Sequence, residues 1–230
     1  MLAQTAVHKA VLGREAQSVE AGEYPVILEP AALMALLEYV ADGFNARQVD
    51  EGESFLTREQ IGEPITGAGI NLRCDPYHPM LQGQPFDGEG TPNRRIVLVE
   101  DGVAANLLYD RITAEKHDAE PSGYSAGGAS REGAWPSYIV MDGGGTPIDE
   151  MIGDSERAIL VTRIWYTSLV DVKKLIVTGL TRDGTFLIED GKIVKPLHNM
   201  RFNVPVLDAL GTLEALGPQR CCRTTLMPTP

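Results

Sequence analysis

The chain is short of cysteine, aromatic residues and long apolar runs, and these shortages exclude several classes of protein. Only three cysteines occur in 230 residues, at Cys74, Cys221 and Cys222. An odd set with two adjacent members matches neither a disulfide framework nor CxxC zinc spacing, so a reducing cytoplasm is the expected compartment. No apolar run approaches the ~18 residues that span a bilayer, and no transmembrane segment is expected. The N-terminus has no basic region followed by an apolar core, so no signal peptide is read there. Cationic residues are outnumbered, 20 Lys+Arg against 32 Asp+Glu, giving a net charge of -12. That balance argues against a nucleic-acid backbone or an anionic membrane as the main partner. The four histidines, His8, His78, His117 and His198, never fall three to five residues apart, so no helical metal pair exists.

A repeated turn is the clearest positive feature. The run Ile96-Val97-Leu98-Val99-Glu100-Asp101-Gly102-Val103 has a counterpart in Phe186-Leu187-Ile188-Glu189-Asp190-Gly191-Lys192-Ile193-Val194. In each, a β-branched apolar run meets Asp-Gly and a second apolar run follows. Asp-Gly accommodates the two positive-φ positions of a type I′ turn, so each copy predicts an antiparallel hairpin, spanning about 94–109 and 185–197.

Elsewhere the pattern predicts a short strand at Tyr24–Leu28 and a helix over Ala31–Ala41. That helix has Pro30 at its first position, Leu33, Leu37 and Val40 on one face, and Gly43 as its terminator. Residues 44–93 are punctuated by Gly and Pro, with short strands near Ile70–Leu72 and Ile61–Ile65. Residues 122–130 are glycine-rich and predict a mobile loop. A strand is expected at Tyr138–Met141, a helix from Thr146-Pro147 to about Ser155, a strand at Ala158–Tyr166, and a last helix from Pro205 to Gly217-Pro218. Strands joined by hairpins and about three short helices define an α+β domain of predominantly antiparallel sheet. Residues 1–22 read as a poorly tethered lead-in, 23–217 as one domain, and 218–230 as a frayed tail.

Local motifs carry little chemistry. Phe86-Asp87-Gly88-Glu89-Gly90 begins like a calcium loop, but its acidic positions stop too soon, and an acidic turn is the reading. The glycines at 123–128 and 143–145 follow no phosphate-cradling pattern. Serine and cysteine nucleophiles have no base nearby in sequence. His117 sits in a charged run and reads as solvated, as does His198. Arg131 is placed to recognise a carboxylate if a ligand lies by the preceding loop.

Several stretches together resemble the C-terminal domain of the TldD/TldE (PmbA) metalloprotease family, also described as modulators of DNA gyrase. They are Tyr24–Ala32, Gln48–Phe55, Phe86–Pro92 before a basic hairpin, Leu108–Ala114, the Pro121-Ser122-Gly123 loop leading to Arg131, Thr181–Gly191, Asn199–Asn203 and Glu214–Gly217. The resemblance implies a β-rich, partly barrel-like domain that follows an N-terminal domain in a cytosolic, dimeric peptidase. It implies peptide substrates, met here by Gly123 and Arg131. In the catalytic type, a His-Glu-x-x-x-His helix of the N-terminal domain holds zinc and a late cysteine completes the site. Cys221 and Cys222 fall in about the right region for that cysteine, although their surroundings do not match the motif.

No histidine in this chain is followed by glutamate. One or two thiolates do not make up the roughly three protein ligands of a catalytic zinc, so the chain alone is expected to hold no cofactor and to hydrolyse nothing. The expected partner is a TldD/TldE-like subunit or an N-terminal metal-binding domain, in a homo- or heterodimer. The alternatives are a stand-alone binding or assembly module and, less favoured, independent catalysis by His78, Asp87 or Glu89.

Overall fold

The computed structural model describes residues 2–127 and 132–222. Chain order begins with α1 (Leu2–Leu12), β1 (Val26–Leu28), α2 (Pro30–Asp42), α3 (Ala46–Glu51), β2 (Leu72–Cys74), β3 (Ile96–Glu100), β4 (Val103–Ala104) and α4 (Arg111–Lys116). It continues with β5 (Ile139–Met141), α5 (Ile148–Gly153), β6 (Arg157–Asp171), β7 (Ile176–Glu189), β8 (Lys192–Pro196), β9 (Arg201–Pro205) and α6 (Val206–Gly211). One sheet has the order β1-β6-β7-β8, with β9 paired to the other end of β7; the second has the order β4-β3-β2-β5. The β1–β6 pair is parallel and the remaining strand pairs are antiparallel. The class is therefore mixed α+β and mostly antiparallel, as expected. Two corrections apply. Neither sheet closes into a barrel among the described residues, and six α-helices occur there rather than about three.

The β6–β7 ladder organises the core. Successive strand residues point to opposite faces, so Ile159 and Val161 join the main core while Ala158 and Leu160 join a second cluster with Phe186 and Ile188. The main face is covered by α2, which buries Leu36, Leu37, Val40 and Ala41. Leu12 of α1 and Ile152 of α5 pack on the opposite cluster. Burial on both faces explains why 158–161 is an uninterrupted apolar run rather than an alternating one.

Both Asp-Gly turns form. Asp101 and Gly102 have φ of +48° and +81°, and Asp190 and Gly191 have +49° and +73°, as a type I′ turn requires. Each turn is also clamped from outside. The Gly102 N–H donates to Ile70 O at 2.9 Å, and the Gly191 N–H donates to Ser155 O at 2.9 Å.

The missed helices share a cause. α3 and α4 are six residues each, too short to display a 3.6-residue stripe, and each is started by a local side-chain cap. Asn45 Oδ1 accepts from Arg47 N at 3.0 Å, and Asp110 Oδ1 accepts from Thr113 N at 2.8 Å. In α1, Val7 and Val11 are exposed, so the helix is held chiefly by Leu12 and by Lys9, whose Nζ reaches Glu29 at 2.5 Å and Thr162 Oγ1 at 3.0 Å. The segment read as a loose lead-in is therefore tied to the main sheet. Gly43 does follow α2, but with φ of -62° rather than in the left-handed region. Glycine is needed there because a Cβ would collide with the Phe55 ring.

α6 ends at Gly211, earlier than its sequence suggests. The chain beyond runs extended against the Gly143–Thr146 loop, with Gly144 N donating to Gly217 O at 2.9 Å and Thr146 N to Leu216 O at 3.1 Å. Gln219 Nε2 donates to Met141 O at 2.7 Å, so residues 219–222 of the expected frayed tail lie along the second sheet and α2; 223–230 lie outside the described residues.

Two glycine substitutions separate backbone strain from crowding. A Cβ at Gly52 (φ +71°) meets nothing within 4 Å, whereas one at Gly102 (φ +81°) meets Gly67 O at 2.5 Å. Gly52→Ala is predicted to lower unfolding free energy by about 1 kcal/mol, and Gly102→Ala by at least ~2 kcal/mol because strain and overlap add. Urea denaturation checks the order.

Candidate functional site

The Phe86–Pro92 motif builds a wall. Asp87 Oδ1 accepts from the backbone N–H of Glu89 and of Thr91, both at 2.9 Å, and Oδ2 accepts from Ser125 N at 2.9 Å. With Gly88 N donating to Ser125 O at 3.0 Å, this carboxylate ties loop 85–93 to segment 122–127. Asp87 is thus the organiser of an acidic turn, as the sequence reading had it, and its oxygens are engaged with main chain rather than facing a metal.

The two backbones approach so closely that side chains are excluded. A Cβ at Gly88 would collide with Ala126, one at Gly127 with Gly88, and one at Gly123 with Pro92 and Asn93. Gly123 is buried at φ +82°, which L side chains rarely adopt. Ser122, Tyr124 and Ser125 are buried as well. The described part of the expected mobile loop is therefore anchored, and the reason is hydrogen bonding that composition does not reveal. Arg131 lies outside the described residues.

Between these segments lies a cleft of about 270 Å³. Phe86, Tyr124, Trp135 and Tyr138 supply aromatic surface, and Gly123 forms part of its wall. Hydroxyls brace it from outside: Tyr124 Oη donates to Arg94 O at 2.5 Å, and Tyr77 Oη donates to Asn93 O at 3.0 Å. Gln84 N donates to Tyr138 Oη at 3.1 Å. Sequence reasoning singled out Gly123 but missed the aromatic residues, which are scattered over more than 50 positions and meet only in the fold.

A separate ionic cluster joins α3 to α4. Asp50, whose side chain is 8% exposed, takes Arg58 through Nε at 2.8 Å and Nη2 at 2.6 Å, Lys116 Nζ at 2.7 Å and His117 Nε2 at 2.8 Å. Burial alone would raise its pKa, but the combined hydrogen bonds from Lys116, His117 and Arg58 hold the carboxyl well below the usual range. His117 is accordingly not the solvated surface residue its charged neighbours suggested.

The other candidates do not converge. His78 Nδ1 accepts from Met80 N at 3.3 Å within a local turn, and Glu89 Oε2 accepts from Arg111 N at 3.3 Å. His8 and His198 are exposed. Cys221 is exposed; Cys222 is partly buried, donates to Pro30 O at 3.6 Å, and has its pKa raised by burial and by neighbouring Cys221 and Glu38. Cys74, in β2 of the second sheet, is fully buried, and burial pushes its thiol up to about 12. Among the described residues no three His, Cys, Asp or Glu side chains are grouped so as to hold a metal ion. No described helix is long and apolar enough to cross a membrane.

Comparison with known proteins follows the same lines. The profile of the PmbA/TldA metallopeptidase C-terminal domain matches residues 21–229, and the chain belongs to that family. A metalloprotease of Methanothermobacter thermautotrophicus is 28% identical over 214 residues, covering 91% of this chain and 46% of that protein. A metalloprotease TldD homolog of Haemophilus influenzae is 26% identical over 201 residues, covering 86% of this chain and 41% of its own length. The crystal structure of TldE from Thermococcus kodakarensis superposes with a TM-score of 0.81 at 23% identity, over 94% of this chain and 49% of that one, and so shares the fold. The chain spans just under half the length of the curated relatives it matches.

Two measurements test the site electrostatics. Asp50→Asn is predicted to cost about 2 kcal/mol at pH 7, the scale of hydrogen bonds to a charged group. Because the native pKa is depressed, that stabilisation is present above the ordinary Asp value of ~3.9 and is lost as pH falls below it. Urea titrations of both proteins should therefore converge in acid. In a thiol-reagent assay of the native protein, Cys221 should react first and Cys222 more slowly, with Cys74 reacting only after unfolding.

Proposed function

We propose that residues 23–217 form the non-catalytic, substrate-shaping half of a TldD/TldE-type metallopeptidase, acting with a metal-bearing N-terminal domain or sister subunit in a cytosolic dimer. The observation that carries this reading is the family match over 21–229, in a chain spanning just under half of its metalloprotease relatives. Val7 and Val11, one helical turn apart on α1, and Tyr166, Leu169 and Val170 near the end of the β6–β7 arm are exposed.

Zinc is the metal the resemblance implies, and the described residues do not by themselves fit a catalytic zinc. Such a site takes about three protein ligands, while Cys221 and Cys222 offer at most two thiolates with no third donor grouped beside them among the described residues. In this reading the remaining donors belong to the partner, and Cys221 or Cys222 is this chain's candidate for a late thiolate ligand. Peptide is the substrate class, with Gly123 shaping its path and Arg131 as the candidate for a peptide carboxylate.

Mixing the purified chain with a separately expressed His-Glu-x-x-x-His domain of the family, plus zinc, tests this reading with a fluorogenic oligopeptide. Cleavage is predicted only in the mixture, together with a stable complex on gel filtration. No complex and no gain in cleavage, or cleavage by this chain alone, would overturn it.

A further inference from the structure

The cleft between loop 85–93 and segment 122–127 has a more specific chemistry than the family match supplies. Phe86 is 60% exposed and Trp135 37% exposed, so two large aromatic side chains of the cleft are partly accessible to solvent. No lysine or arginine is among its described lining residues, and both oxygens of its one carboxylate, Asp87, are taken by backbone N–H groups. Its volume of about 270 Å³ falls just below the ~300–1,000 Å³ of small-molecule sites and suits one large side chain with its own amide.

Among the described residues of this wall, one buried polar side-chain atom has no partner. Asn93 is 4% exposed and its Oδ1 is buried with no hydrogen bond. The amide is not simply reversed, because its Nδ2 donates to Gln84 O at 2.7 Å and a flip would set two oxygens against each other. A buried acceptor left unpaired destabilises the empty site and is relieved by an incoming donor. Backbone strain lies on the same wall. Tyr138 has φ of +54°, unfavourable for an aromatic residue, and is held so that its hydroxyl meets Gln84 N.

We propose that this cleft is a subsite for one aromatic residue of a peptide segment, its ring against Phe86 and Trp135 and, with the exposed Gln84 side chain displaced, its backbone N–H donated to Asn93 Oδ1. Stacking of flat apolar surface selects the side chain, and the unpaired acceptor selects an amide over an ester. This proposal rests on the reading of peptide as the substrate class.

The protein has two tryptophans, so Trp165→Phe leaves Trp135 as the sole indole reporter. In that background, N-acetyl-phenylalanine methyl ester should shift Trp135 emission saturably in the millimolar range. O-acetyl-phenyllactate methyl ester, which lacks the N–H, should bind about tenfold more weakly, as should the N-acetyl-glutamate analogue. Phe86→Ala should weaken the phenylalanine ligand several-fold, and Asn93→Leu should erase the amide-over-ester preference, with circular dichroism confirming that both variants are folded. Equal binding of amide and ester, equal binding of the glutamate analogue, or no saturable change would overturn the subsite. Because these measurements use the isolated chain, loss of the subsite alongside successful reconstitution of cleavage leaves the peptidase reading intact, whereas failed reconstitution with intact aromatic binding removes only that reading.

Discussion

Burial of the β6–β7 ladder on both faces is the constraint from which the rest of the domain follows. Once Ile159 and Val161 face α2 and Ala158 and Leu160 face the other way, a second covering layer is required, and α1 and α5 supply it through Leu12 and Ile152. β1 is then fixed as a parallel edge beside β6, while β8 and β9 share β7 along its length. Each fully buried aliphatic side chain contributes about 1.5–3 kcal/mol, so this ladder with its two covers holds much of the stability. The second sheet, whose own strand residues Cys74, Leu98 and Val99 are buried, carries irregular loops at its periphery. The cleft is built from those loops.

Motifs that the sequence reading gave little chemistry are joints in three dimensions. Asp87 spends its carboxylate on three backbone N–H groups. Asp110, in the Leu108–Ala114 stretch, caps α4 and receives Arg47 Nη2 at 3.4 Å. Gly143 and Gly144 let the 216–219 main chain approach where a Cβ would collide. Asp87 and Asp110 lie in stretches that carry the family resemblance, and both are engaged with main-chain N–H groups.

Legibility followed the range of the responsible interaction. The hairpins could be read because Asp-Gly encodes a type I′ turn within two residues, and α2 because its apolar stripe and Pro30 are local. α3 and α4 could not, since six residues carry no stripe and their caps are single side chains. His117 looked solvated because its partner, Asp50, lies 67 positions away. Glycine content in 122–127 suggested motion, but the same glycines serve close backbone contact with 88 and 92–93. The family was legible from ordered motifs spread along the chain; the aromatic cleft was not, because its residues converge only after both sheets and their loops are assembled.

The role proposed for this chain is to shape a peptide site whose metal donors a partner completes. Zinc bound per polypeptide, measured after exhaustive dialysis against a weak chelator, tests it most directly. The account predicts well under one equivalent retained by the isolated protein, rising to one per complex when a His-Glu-x-x-x-His partner is present. One equivalent held tightly by the isolated protein, together with hydrolysis of an oligopeptide, would contradict it.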